Sequence, residues 1–414
     1  VEQEENPDDD EQEMSSISYL SKNTNMGKYI HRYNNAVDFE DDYWSPNYIE
    51  PNLSVYGDGS DVHYDRPGSH ELLKEPLTFE IIQAGDGDYL TFFLDGNVDQ
   101  FEKEIQYSKN GGEKINVSAY KGHDVTIPIV GGDVIRFWGD NDTYCDEVTS
   151  SLDAMFVFGC DGQCRVKGNI MSLIDSVNYE NLKTFTEKKV FANLFYYCEG
   201  LFDAYNLILP ATACTESCYA NMFNSCVQLE SAPFLPATKL ANWCYQGMFF
   251  HCHSLHNVPE ILPAKNLATG CYTDMFNSCN SLSVAPVLPA ITLQDSCYQA
   301  MFYNCTNLKK APKISAMNLA NYCCTSMFQG CTRLVEVPEL PAVILVDYCY
   351  SSMFYGCTNL KYIKCMATHN INPDKSVNHW VNGVGQNGKF IKTRSSTWSR
   401  GENGIPTGWS TEYA

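Results

Sequence analysis

Cys218-Tyr219-x-x-Met222-Phe223-x-x-Cys226-x-x-Leu229-x-x-Ala232-Pro233-x-Leu235-Pro236-Ala237 is the stretch that decides the fold, because the chain repeats it. Its first cysteine returns at Cys244, Cys271, Cys297, Cys323 and Cys349, and its second at Cys252, Cys279, Cys305, Cys331 and Cys357. The step is about 26 residues, with one extra residue near Glu260 and Ile261. A weaker unit, Leu194-Phe195-x-x-Cys198-x-x-Leu201, precedes the six full ones. A fixed period of this length means units that bury their apolar faces only against their neighbours.

Each unit reads in two halves. Cys218 and Met222 are four apart, which puts both on one helical face and predicts a helix of one to two turns. The half from Leu229 through Pro233 and Pro236 is extended, since proline blocks a helix and removes a ladder donor. Strand, turn, short helix and turn in succession predict an α/β leucine-rich-repeat solenoid over residues 185–367. The cysteine columns read as packing, because a buried cysteine acts as a small hydrophobe. Two cysteines eight apart lack zinc-finger spacing and the usual disulfide reach. The total of 19 is odd, so a monomer keeps at least one unpaired thiol.

Around the repeats, three further segments are expected. Residues 1–76 form an acidic, aromatic-rich arm with 18 acidic and 5 basic side chains. Its tyrosines and tryptophan, including Tyr43, Trp44 and Tyr48, are too many for a solvating linker. They predict an arm laid along a partner or along the chain's own repeats. Residues 77–175 switch to period two in Leu77–Ile81, Val125–Ile129 and Val134–Trp138, with Gly-Gly turns between, and read as a small β-sandwich capping the repeats. Residues 368–414 form a β-rich C-terminal cap.

The formal net charge of −22 argues against nucleic acid and against an anionic membrane face. No apolar run is long enough for a spanning helix. The chain opens at Val1 and its first methionine is Met14, so an N-terminal piece is expected to be missing from the sequence.

Candidate sites are few. Residues after the repeat leucine vary while the frame stays fixed, which suits a display surface, and His256 and Asn257 belong to it. Tyr362 belongs to the same display surface, and Lys309, Lys310, Lys313, Lys361 and Lys364 mark a basic patch suited to an anionic ligand or to the acidic arm. The tyrosine column at 219, 245, 272, 298 and 350 reads as packing, with sugar or protein gripping as the alternative. No metal site is assigned; the loop carboxylates Asp140, Asp142 and Asp146, with Asp86 and Asp88, are calcium candidates but lack the EF-hand arrangement. Cys160-Asp161-Gly162-Gln163-Cys164 reads as a tight turn open to a disulfide, and Cys145 beside it lacks the further ligand that a zinc site needs. No catalytic residue and no cofactor is assigned, since no nucleophile elbow, zinc His-Glu-x-x-His or phosphate loop is present.

From near Leu77 to the end, the chain resembles BspA-like leucine-rich-repeat surface proteins of Bacteroidales. The repeats carry the resemblance, as do Ile105-Gln106-Tyr107-Ser108, Gly168-Asn169-Ile170-Met171-Ser172-Leu173, Trp380-Val381-Asn382-Gly383-Val384 and Gly404-Ile405-Pro406-x-Gly408-Trp409. The resemblance implies a surface-exposed or secreted protein, held to the outer membrane through a lipid anchor, without catalytic residues. The expected function is therefore non-catalytic binding. The chain is read as an accessory subunit of an outer-membrane protein assembly or as an adhesin, with a protein partner or a glycan on a host surface. The alternatives are a phage virion protein that is structural or contacts a receptor, and an enzyme.

Overall fold

The computed structural model describes residues 69–96, 98, 101–145 and 154–414, all within one compact unit. Tyr43, Trp44, Tyr48, Asp146 and most of the expected arm lie outside the described residues.

Period-two patterning produces two packed sheets first. Strands β1 (Leu77–Gln83), β3 (Glu102–Lys109), β4 (Ile115–Tyr120), β6 (Val134–Gly139), β8 (Gln163–Asn169) and β9 (Leu201–Ile208) form one sheet in the order β4-β3-β6-β1-β8-β9. Strands β2 (Tyr89–Gly96), β5 (Val125–Pro128) and β7 (Ala154–Cys160) form a second, ordered β5-β2-β7. Alternate residues of β6 and β8 turn inward, as the pleat requires. Phe79 and Phe137 of the larger sheet meet Phe158 of the smaller one, with ring centroids 5.4 and 4.9 Å apart. All three rings are buried.

The larger sheet is antiparallel except at its last pair. There β8 runs parallel to β9, with Cys164 opposite Leu201 and Asn169 opposite Ile208. The chain reaches β9 through single 3-10 turns at Ile170–Leu173 and Tyr179–Asn181. Gly200 makes the junction feasible: a Cβ there would lie 1.9 Å from the Gly162 carbonyl oxygen. β9 is also the extended half of the weak first unit, so the sheet hands over to the repeats without a break. Asp203 bridges Ser231, and parallel bridges continue from Ser231 to Asn257 and from Val284 through Lys310 and Glu336 to Tyr362.

The repeats overturn the expected α/β leucine-rich-repeat solenoid. The described residues are mostly β with almost no helix, and none of their three sheets is a solenoid. Their one α-helix, α1 (Ser69–Lys74), precedes the repeats and lies against β8 and β9. Between Ile208 and Tyr362 no strand forms; coils meet at single-residue bridges. Prolines such as Pro233 and Pro236 withhold the donors that a longer ladder would need.

The half expected as helix is a run of turns, and its hydrogen bonds show why. Cys244, Gln246, Met248, Phe250 and Cys252 each donate their N–H to the carbonyl three residues back. The residues between them, Trp243, Tyr245, Gly247, Phe249 and His251, donate instead to the next coil, at Thr269, Cys271, Thr273, Met275 and Asn277. A helix would send every N–H four residues back within its own segment. The winding is undone because the residue before each first cysteine, before each methionine and before each second cysteine has positive φ. Ser217, Asn221 and Ser225, at 53°, 53° and 62°, set this pattern, and every later unit keeps it. Four-residue spacing therefore stacks side chains on a ribbon of turns as well as it would on a helix.

Inside the stack, the first and second cysteines, the methionines and the phenylalanines each form a column of one residue type. The cysteines, methionines, phenylalanines and leucines of all six units are buried. Phenylalanine rings run from Phe195 through Phe223, Phe249, Phe276, Phe302 and Phe328 to Phe354, with centroids 5.2 to 5.9 Å apart. Phe195 lies 6.0 Å from Phe79 and 6.1 Å from Phe158, so one apolar core crosses from the paired sheets into the coils. At the far end β10 (Tyr362–Cys365), β11 (Lys389–Lys392) and β12 (Ser410–Tyr413) form a parallel sheet. Trp380 closes the core there. It is fully buried, its ring centroid lies 6.3 Å from that of Tyr350, and its Nε1 donates to the Gly404 carbonyl at 2.8 Å.

Candidate interaction surface

The invariant frame points inward, and what varies in the extended half of each unit reaches solvent. Cys252 shows how tightly the frame is held: its Sγ donates to the Phe223 carbonyl of the preceding coil at 3.0 Å. Cys226, Cys279, Cys305, Cys331 and Cys357 repeat that bond at 3.0 or 3.1 Å. Burial pushes the Cys271 and Cys357 thiols up to about 12, which leaves them neutral and poor nucleophiles near neutral pH. All 19 cysteines are free thiols, Cys145, Cys160 and Cys164 included, and Cys160 spends its S–H on the Gly162 carbonyl. The tyrosine column is equally internal. Tyr219, Tyr245, Tyr272 and Tyr298 stack at 5.5 to 6.1 Å and none is more than 2 % exposed, so this column offers no gripping surface.

The residues after the repeat leucine reach solvent. His256 and Asn257 are exposed; His256 Nδ1–H donates to the Ser254 carbonyl at 3.0 Å, and Asn257 Nδ2 donates to Ser231 Oγ at 3.3 Å. Lys309, Lys310, Lys313 and Lys361 are exposed, while Tyr362 and Lys364 are half-buried on β10. The structure does not join these lysines into one basic patch. The coil between the two groups presents Glu336, which bridges Lys310 on one side and Tyr362 on the other. The same coil presents Glu339, whose carboxylate lies 2.7 Å from Lys364 Nζ and holds that ammonium above the usual lysine range. Charge therefore alternates along the face, and Lys364 is already paired. Sequence reasoning overlooked the acidic unit because it grouped lysines by type and not by coil.

The calcium candidates do not gather. Asp140 spends its carboxylate on Ser176, accepting the N–H at 2.8 Å and the Oγ–H at 3.1 Å. Asp88 accepts the Gly85 N–H. Among the described residues no group of three or more His, Cys, Asp or Glu side chains is placed to hold a metal ion.

A second row was missed. The residue after each Pro-Ala or equivalent pair is Thr238, Lys265, Ile291, Met317, Val343 and Thr368. Three consecutive members are apolar and open to solvent: Ile291 at 59 %, Met317 at 62 % and Val343 at 40 % exposure. Ile344 beside Val343 adds to them at 56 %, as do Val284 at 71 % and Val287 at 58 % in the coil of Ile291. The signal was present, since this position varies between polar and apolar while the alanine before it is nearly constant. It was absorbed into the frame because it abuts the frame's best-kept residues.

No protein-family model, curated protein or solved structure matches this chain. No helix among the described residues is long and apolar enough to cross a membrane.

Proposed function

We propose that the chain is a non-catalytic binding protein of the cell surface, whose coils present variable side chains to a protein partner. One observation carries the reading. In the extended half of each unit, positions whose side chains change from coil to coil reach solvent, whereas the recurring cysteines, methionines, phenylalanines and leucines are buried. A frame fixed by main-chain bonds between successive coils loses little entropy when a partner docks, so small contacts count toward affinity. The rows also have the makeup of an interface. An apolar group around Ile291, Met317 and Val343 accompanies charges of both signs at Lys310, Glu336 and Lys361, as in a patch with a dry centre and a polar rim. Surface location rests on the resemblance of the sequence to surface proteins, and a role in an outer-membrane assembly or in adhesion rests on the same ground.

The experiment is a native pull-down with mass spectrometry, run with the full chain beside the triple variant His256→Ser, Lys310→Ser, Met317→Ser. The reading expects one partner retained by the parent chain and lost by the variant, at equal thermal stability. Equal capture by both, or capture of nothing by either, contradicts it.

A further inference from the structure

A row along the turn runs mixes large aromatic rings with some of the smallest residues in the chain. The residue before the first cysteine of each unit is Ser217, Trp243, Gly270, Ser296, Tyr322 and Tyr348. Main-chain bonds align the row: Ser217, Trp243, Gly270, Ser296 and Tyr322 donate their N–H groups to the coil that follows, at Asn242, Thr269, Asp295, Asn321 and Asp347. Trp243, Tyr322 and Tyr348 stand at φ 60°, 57° and 57°, where a bulky side chain is uncommon. None of the three rings belongs to the apolar core, so burial does not account for their presence there.

The rings leave a gap. Tyr322 and Tyr348 stack with centroids 4.8 Å apart and planes 8° apart. That contact covers one face of Tyr322, yet the residue is 41 % exposed. Its other face looks toward the coil of Ser296, whose side chain ends at a hydroxyl. From the opposite direction Trp243 leans over Gly270: a Cβ at 270 would lie 2.0 Å from Cε3 and Cζ3 of the indole. Between Trp243 and Tyr322 the row therefore holds only Gly270 and Ser296. A polar row runs alongside, with Asn242, Asp295, Asn321 and Asp347 exposed. Asn242 Oδ1 accepts the Thr269 N–H at 3.2 Å, and Asp295 Oδ1 accepts the Asn321 N–H at 3.0 Å. Among the described residues neither side chain has a partner for its other polar atom. Lys375 Nζ lies 2.9 Å from Asp347 Oδ2 and neutralises that carboxylate at the cap end.

We propose that this row is a glycan-binding site, in which a neutral pyranose ring sits over Ser296 against the open face of Tyr322, with Trp243 on the far side. The C–H face of a pyranose is apolar and suits the negative face of an aromatic ring. Its rim carries hydroxyls that both donate and accept, and Asn242, Asp295 and Asn321 supply acceptors and donors beside the gap. The Asp295 carboxylate, next to the floor, welcomes hydroxyl donors and repels carboxylated or sulfated sugars. Rings on a frame of main-chain bonds need little ordering when the sugar arrives. This row is separate from that of Ile291, Met317 and Val343, so the glycan site does not depend on a protein partner there.

The test immobilises neutral gluco-, manno-, galacto- and xylo-oligosaccharides beside sialylated and sulfated glycans and probes them with the native full chain. The expected result is retention on at least one neutral class and none on the anionic ones. Tyr322→Ser, which carries the residue found at 296, is expected to weaken that binding by about tenfold or more. Ser296→Tyr fills the gap with the side chain that two sister coils already hold at this backbone position. It is expected to abolish binding at unchanged thermal stability. Capture of no neutral glycan by the parent chain overturns the proposal. So does undiminished binding by Ser296→Tyr, or a preference for the anionic glycans. Ser296→Tyr decides the matter even where Tyr322→Ser fails to fold, and the protein-partner reading stands or falls separately on the pull-down.

Discussion

A cysteine at the end of each turn run is a hydrogen-bond donor small enough for a closed column. The Phe223 carbonyl already accepts the Cys226 N–H at 3.1 Å, and the Cys252 thiol fills its remaining lone pair. Alanine at 252 removes both the bond and the sulfur volume, so Cys252→Ala is expected to lose about 1–2 kcal/mol in urea unfolding. Asp274 offers a sharper test. It stands at a left-handed position, φ 55°, half-buried, with Asn277 Nδ2 donating to its Oδ1 at 2.8 Å. Burial pushes its carboxyl up to about 6, above the ordinary 3.8. The folded chain therefore holds this proton more tightly than the unfolded one. Asp274 costs stability as pH rises from about 4 to about 6, and the cost is constant above that. Asn221 occupies the equivalent position of the first full coil. Asp274→Asn is expected to gain about 1–2 kcal/mol at pH 7 after solvent screening, and nothing below about pH 4, by thermal or urea unfolding at both pH values.

Each repeat element is a ribbon of turns, and its glycines separate conformational strain from collision. Gly330 has φ 75°, and an added Cβ would lie 2.0 Å from Asn304 Oδ1 in the coil before it. Gly356 occupies the same position one coil later with φ 72°, but its added Cβ finds nothing nearer than 3.8 Å. Gly356→Ala is expected to cost about 1 kcal/mol from the backbone alone, and Gly330→Ala clearly more, because the Asn304 side chain must also move. Equal losses in urea denaturation would remove the collision from the account. Far-ultraviolet circular dichroism is expected to lack the paired minima of a helix. Legibility divides at this scale. Strands at Leu77 and Val134 were readable because period two has no competitor in those segments. The turn runs were not, because the spacing of Cys218, Met222 and Cys226 fits a helix equally well. The deciding signal lay one residue earlier, where Gly247, Gly270, Gly330, Gly356, Asn221 and Asn304 occupy left-handed positions that a helix interior would penalise.

At the scale of the molecule, the phenylalanine column makes the paired sheets and the coils one cooperative body. Leu282 sits in a middle coil with no exposure, and Leu282→Ala is expected to cost about 2–5 kcal/mol. The loss should shift one shared transition, followed alike by Trp138 on β6 of the larger sheet and by Trp409 near the chain's end. Two separated transitions would divide the core. The exposed rows were half legible in the sequence: variation after the repeat leucine marked one of them, whereas the charge order across coils needed the register of the bridges. The central claim is that the recurring side chains face inward and only the variable ones face out. Counting native thiols with a bulky maleimide tests it most directly. The account predicts that none of the column cysteines is labelled before unfolding and that all 19 cysteines are labelled after it; labelling of the column cysteines, such as Cys252, Cys279 and Cys305, in the folded chain would contradict it.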